Sequence, residues 1–143
     1  MTRRLAATTL ALAALAAGCG SVGDEDYAER AVAICEDTNT RIRGLGTPES
    51  YTETQLYARR AKDAVADQID ELNDLGPPAD VEDSFDLYLV TLEERQRLLG
   101  RMAEAADANS MNDVQAVGSE IDALGPTARE QAAAAGIAAC EPR

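Results

Sequence analysis

Histidine and tryptophan are both missing from these 143 residues, and there is a single phenylalanine, Phe85. Without histidine, neither Ser-His-Asp nor Cys-His nucleophilic machinery can be assembled. A His-ligated haem is excluded, as is the Glu-x-x-His di-iron site that recurs in helical bundles. The only other aromatics are Tyr27, Tyr51, Tyr57 and Tyr88, too few for an obvious sugar platform. Positive charge is scarce as well. Thirteen basic residues, all arginine except Lys62, face 26 acidic ones, for a net charge of −13. Such a chain repels nucleic acid phosphates and anionic headgroups, which excludes DNA or RNA as partners. Period-two alternation is absent throughout, which leaves no candidate strand.

What is present begins at the N-terminus. Arg3-Arg4 is followed by an apolar run that closes on Leu15-Ala16-Ala17-Gly18-Cys19. A basic start, a short apolar stretch and small residues before the end describe a secretory signal peptide. The run is too short to span a bilayer, which takes roughly 20 apolar residues. The cysteine narrows the reading to a lipoprotein signal: residues 1–18 are removed, and Cys19 carries the lipid that holds the protein to the membrane. Ala16 stands where leucine is commonest, with Leu15 one place earlier. Leu5-Ala6-Ala7 fits the twin-arginine export signal poorly, which favours the general secretory route. Loss of Arg3 and Arg4 with the leader makes the remaining chain still more acidic. Residues 19–23 then form a tether of at most about 20 Å, which keeps the 24–143 domain beside an extracytoplasmic membrane surface.

That domain reads as an antiparallel, up-down-up-down four-helix bundle with short loops. The first helix is expected from about Asp24 to Arg43, with Tyr27, Ala31, Ile34/Cys35, Thr38 and Ile42 on one face. Gly44 and Gly46 stop it. Thr47-Pro48-Glu49-Ser50 opens the second, with Pro48 in its first turn. Its stripe is Tyr57, Ala61, Ala64/Val65, Ile69, Leu72 and Leu75, ending at Gly76-Pro77-Pro78. Asp80 is the expected cap of the third helix. Val81, Phe85, Tyr88, Leu92, Leu99, Met102 and Ala106 follow at spacings of a heptad pattern. Glu93 and Arg97 are placed to pair on its solvated side. Ala108-Asn109 ends that helix, and Ser110 with Asp113 resembles a capping box for the fourth. Val114, Val117, Ile121, Leu124, Ala128, Ala132 and Ala135 mark the fourth, with a kink or a split expected at Gly125-Pro126. Gly136 suits a left-handed cap, with Ile137 folding back.

Once Cys19 is lipidated, Cys35 and Cys140 are the remaining cysteines. An even pair in a small exported domain points to a disulfide. A redox thiol or a two-thiolate metal site lacks a supporting spacing or a second ligand pair. Acidic clusters at Asp24-Glu25-Asp26, at Asp67, Asp70, Glu71 and Asp74, and at Asp80, Glu82, Asp83 and Asp86 match no calcium loop. Helix-start charge and solvated faces account for them, so no metal or other cofactor is expected. Paired carboxylates could in principle act on a glycan, but a packed alanine-rich bundle offers no cleft to raise one pKa. No catalytic residue is assigned.

The lipobox at Cys19, Ala33-Ile34-Cys35, Leu75-Gly76-Pro77-Pro78 and the terminal Gly136-Ile137-Ala138-Ala139-Cys140 together resemble small uncharacterised actinobacterial lipoproteins. About a fifth of the residues are alanine, and arginine far outnumbers lysine, in keeping with a GC-rich genome. The resemblance implies the helical domain and the Cys35–Cys140 bridge, and it carries no activity. The expected role is non-enzymatic. The chain reads as an envelope accessory protein that docks another envelope component through exposed helix faces, with Leu87 and Leu98 as apolar residues off the main stripe. The alternative is a carrier for a small apolar or cationic ligand held between the helices. A large exposed apolar patch would favour the first, and a cavity of about 300 Å³ or more the second.

Overall fold

The computed structural model describes residues 24–140, of which 26–140 with their side chains. The expected leader, the expected lipidation at Cys19 and the expected tether to residue 23 lie outside the described residues. Four helices follow one another: α1 (Asp24–Arg43), α2 (Tyr51–Asn73), α3 (Glu82–Asp107) and α4 (Met111–Ala134), with no strand among the described residues. They form a four-helix bundle, each helix packing on the next in the chain. Cross-links between earlier residues of one helix and later residues of its neighbour fix the antiparallel sense of α2, α3 and α4. Gln55 pairs with Asp107, Thr91 with Gln131 and Arg101 with Glu120.

Local chemistry sets the ends. Ser50 is the N-cap of α2, its Oγ accepting from the Glu53 amide at 3.2 Å, while Glu53 reaches back to the Glu49 amide at 2.7 Å. Pro48 therefore precedes α2 rather than lying in its first turn. Asp80 does not cap α3. That position is taken by Val81, which makes no side-chain capping bond. Pro77-Pro78 drive a turn in which the Val81 amide bonds the Pro78 carbonyl at 3.1 Å, and this shifts the start of the helix by a residue. Ser110 occupies the N-cap of α4, but its hydroxyl donates to the Asp113 carboxylate at 2.6 Å rather than accepting from the backbone. Arg97 pairs with Glu94, at 2.7 Å, instead of Glu93, because the three-residue spacing aligns both guanidinium nitrogens with one carboxylate.

Two helix ends use the left-handed region. Asn109 has φ 53°, and the Ser110 and Asn109 amides bond the Ala105 and Ala106 carbonyls, both at 3.0 Å. Gly136 has φ 74°, and the Ile137 and Gly136 amides bond Ala132 and Ala133. Both are the paired C-terminal closure that a residue with positive φ permits. Contrary to a split, α4 runs unbroken through Pro126. The ring removes one hydrogen bond, to the Asp122 carbonyl, and packing of the flanking turns on α3 keeps the helix whole.

The predicted stripes are the core. Tyr27, Ala31, Cys35 and Ile42 of α1 are buried, as are Ala61, Ala64, Val65, Ile69 and Leu72 of α2. From α3 come Phe85, Tyr88, Leu92, Leu99 and Ala106, and from α4 Val117, Ala128 and Ala132. Leu98 is also buried, whereas Leu87 is 56 % exposed. One neighbour relation differs from an idealised bundle. No backbone approach joins α1 to α4. Where α4 would close on α1, the tail after Gly136 turns back instead and buries Ile137 and Cys140.

Candidate functional site

Cys35 and Cys140 form the expected disulfide, with Cα atoms 5.1 Å apart. The bridge joins α1 to the tail rather than to α4 itself. Around it the tail is pinned by tyrosine hydroxyls from two helices. Tyr88 donates to the Cys140 carbonyl at 2.9 Å, and Tyr27 donates to the Ala135 carbonyl at 3.4 Å. The Gln68 amide donates to the Cys35 sulfur at 3.3 Å, and the Tyr27 and Phe85 rings meet edge to face, 5.8 Å between centroids. Burial pushes the Tyr27 and Tyr88 hydroxyls up to about 12, because the phenolate cannot be solvated there. Every group in this cluster is satisfied by another, so its role is to hold the bundle shut.

The acidic residues of α2 and α3 are spread over exposed faces: Asp67, Asp70, Glu71 and Asp74 on one, Asp80, Glu82, Asp83 and Asp86 on the other. Among the described residues no three His, Cys, Asp or Glu side chains converge as a metal site would require. No described helix is long and apolar enough to cross a membrane.

A groove of about 490 Å³ opens between α3 and α4, with Tyr57 of α2 on its wall. Leu92, Ile121, Leu124, Pro126 and Ala128 supply its apolar surface, and Thr91, Arg95, Asp122 and Arg129 its polar groups. A second cavity of about 190 Å³ adjoins it beneath Ile42, Leu99 and Met102, and the two share Tyr57, Arg95, Ile121 and Asp122. Gly125 lines the groove without a side chain, and a Cβ built there meets nothing within 4 Å. Ile121 and Leu124 lie on the predicted stripe but remain only partly buried, since α1 does not reach across to cover them.

Arg95 is the residue that sequence reasoning passed over. The heptad stripe of α3 steps by three or four except for one gap of seven, between Leu92 and Leu99. Arg95 fills that gap, in a position whose geometry belongs to the core. Its side chain is partly buried and borders both cavities. Among the described residues no ion pair and no hydrogen bond reaches its guanidinium. Arg41, Arg97 and Arg101, by contrast, each have a carboxylate oxygen within 2.7 Å. Burial lowers its pKa from the ordinary value, with only the nearby Tyr88 and Tyr57 opposing. An arginine stays protonated in any protein environment, so the groove contains a standing positive charge.

No protein-family model, curated protein or solved structure matches the chain.

Proposed function

We propose that this chain is a non-enzymatic binding protein of the cell envelope, held to the extracytoplasmic membrane face through a lipid on Cys19. Its working part is the groove between α3 and α4. The observation that carries the reading is the exposed half of the α4 stripe. Ile121 and Leu124, together with Tyr57, border about 490 Å³ that none of the described residues fills. That volume falls within the roughly 300–1,000 Å³ range of small-molecule sites. The absence of histidine excludes Ser-His-Asp and Cys-His nucleophiles, and Arg95 in the lining speaks against a cationic ligand.

The groove reading is tested with a neutral octyl probe, 1-octanol, added to the full chain during thermal unfolding. A ligand that binds only the folded form raises the melting temperature with its logarithmic concentration. A saturable rise is expected, and Leu124→Trp, which places a large ring in the groove, should abolish it. The same rise in wild type and variant would move binding elsewhere. The anchor is tested separately. Cys19→Ala should stop uptake of labelled fatty acid, and equal labelling of wild type and variant would remove lipidation from the reading.

A second reading, docking of another envelope protein, is favoured by Leu87 and Val90. They lie one turn apart on α3 and are 56 % and 59 % exposed. Crosslinking in intact cells through a photoreactive residue at 87 would capture one reproducible partner if this face is an interface.

A further inference from the structure

We propose that the groove takes an anionic amphiphile, an alkyl carboxylate of the fatty-acid type, and that Arg95 binds its carboxylate. The proposal rests on the groove reading above and names the chemistry of its ligand.

The chain has twice as many acidic as basic residues, 26 against 13, so an arginine without an acid is not a matter of shortage. Asp122 borders the same two cavities, yet forms no ion pair with Arg95. In the free protein the partly buried Arg95 guanidinium still meets water, since no described side-chain nitrogen is both fully buried and unpartnered; a ligand that fills the groove displaces that water and has to replace its hydrogen bonds. Arg95 and Asp122 line both cavities, and Arg129, which has an interaction of its own, lines the larger. A neutral ligand would leave Arg95 desolvated, and a cation would add repulsion. A carboxylate matches the planar donor fork of a guanidinium, which can make two parallel hydrogen bonds to it.

Shape agrees with this. Arg95 stands where the two cavities meet. The smaller, at about 190 Å³, is below the usual size of a ligand site. The larger extends from Arg95 along Leu92, Ile121, Leu124, Pro126 and Ala128, an apolar path for a hydrocarbon tail. Arg129 and Asp122 also line the larger cavity, and Arg95 is the positive group that borders both cavities; a tail on the apolar residues with a negative head at Arg95 fits this lining.

The test compares three probes of equal chain length on the full chain: octanoate, 1-octanol and octyltrimethylammonium. Calorimetry or thermal shift gives affinities, and the Arg95 Nε–H resonance reports contact at the head. Octanoate is expected to bind about tenfold or more tighter than octanol, in keeping with a charge-assisted hydrogen bond, and the ammonium probe more weakly than either. Arg95→Met keeps most of the stem and removes the charge. It should reduce octanoate to the level of octanol while raising the melting temperature of the free protein, whereas Arg95→Lys should retain part of the preference. Asp122→Asn should tighten octanoate several-fold by removing a nearby like charge.

Equal affinities for octanoate and octanol would overturn the anion proposal and leave the groove reading standing. Binding of none of the three probes would remove both. Retention of the preference in Arg95→Met, or a lower melting temperature for that variant, would overturn the role given to Arg95. If Arg95→Met does not fold, the role is likewise overturned, and octanoate against octanol on wild type still decides the ligand class.

Discussion

Tyr27, Phe85, Tyr88, Ile137 and both bridging sulfurs are no more than 2 % exposed at the end of the bundle where the tail folds back. Halfway along the same bundle, Tyr57, Arg95, Ile121 and Leu124 are only partly buried and border open volume. Both regions draw on the same helices and the same kind of apolar stripe. At the closed end a disulfide and two tyrosine hydroxyls bring in the tail, and every polar group has a partner. In the middle none of the described residues plays the part of the tail, and Arg95 has no ion pair among them. The difference teaches which residues carry stability and which are free to carry function. A fully satisfied cluster gains nothing from a ligand, whereas an incomplete one does.

The comparison breaks most sharply at the disulfide. Its 105-residue separation corresponds to about 4–5 kcal/mol of loop-closure entropy, an upper figure because reduced chains keep residual structure. Cys35→Ser, Cys140→Ser and the double variant should therefore lower the melting temperature markedly and to the same extent. At temperatures where they remain folded, their octanoate affinity should be unchanged. A loss of affinity would mean that the two regions are coupled.

Next come paired truncations. Phe85→Ala at the closed end should cost about 3–5 kcal/mol in denaturant unfolding. Leu124→Ala at the groove should cost about 1 kcal/mol or less, since its side chain already faces open space. Similar losses at both sites would erase the distinction.

Alkaline unfolding sharpens it further. The hydroxyls of Tyr27 and Tyr88 have folded pKa values raised to about 12 from an ordinary 10. The folded state thus holds their protons more tightly than the unfolded chain. Their contribution is complete below pH 10 and is lost as the pH rises from 10 through 12. For Tyr88 this amounts to about 2–3 kcal/mol. Tyr88→Phe should flatten the fall between pH 10 and 12, and an unchanged profile would count against burial as its cause.

The smallest effect is expected at the surface. Arg41 and Asp67 make a short ion pair, yet both side chains are about half exposed. Arg41→Ala should change stability by less than about 1 kcal/mol, and by less still at high salt.

The helices were legible because their signals are local. Apolar spacing of three and four placed the stripes, and Gly44, Gly76 and Gly136 lie within three residues of the helix ends they punctuate. Where local signals competed, the reading slipped. Pro77-Pro78 displaced the start of α3 past Asp80, and the better geometry of Glu94 took Arg97 from Glu93. The disulfide was legible from cysteine number, but the way its ends meet was not, because it depends on a tail that replaces α4 against α1.

Arg95 marks the boundary between the two kinds of knowledge. The sequence by itself determined that a charged residue interrupts the α3 stripe, that the chain is strongly acidic, and that four amphipathic helices follow one another. Each of these is a property of composition or of neighbours a few positions apart. Only the tertiary structure decided that α1 stops short of α4, that Ile121 and Leu124 are only partly covered, and that no carboxylate among the described residues reaches Arg95. Those outcomes depend on distances between helices, which no spacing along one helix specifies.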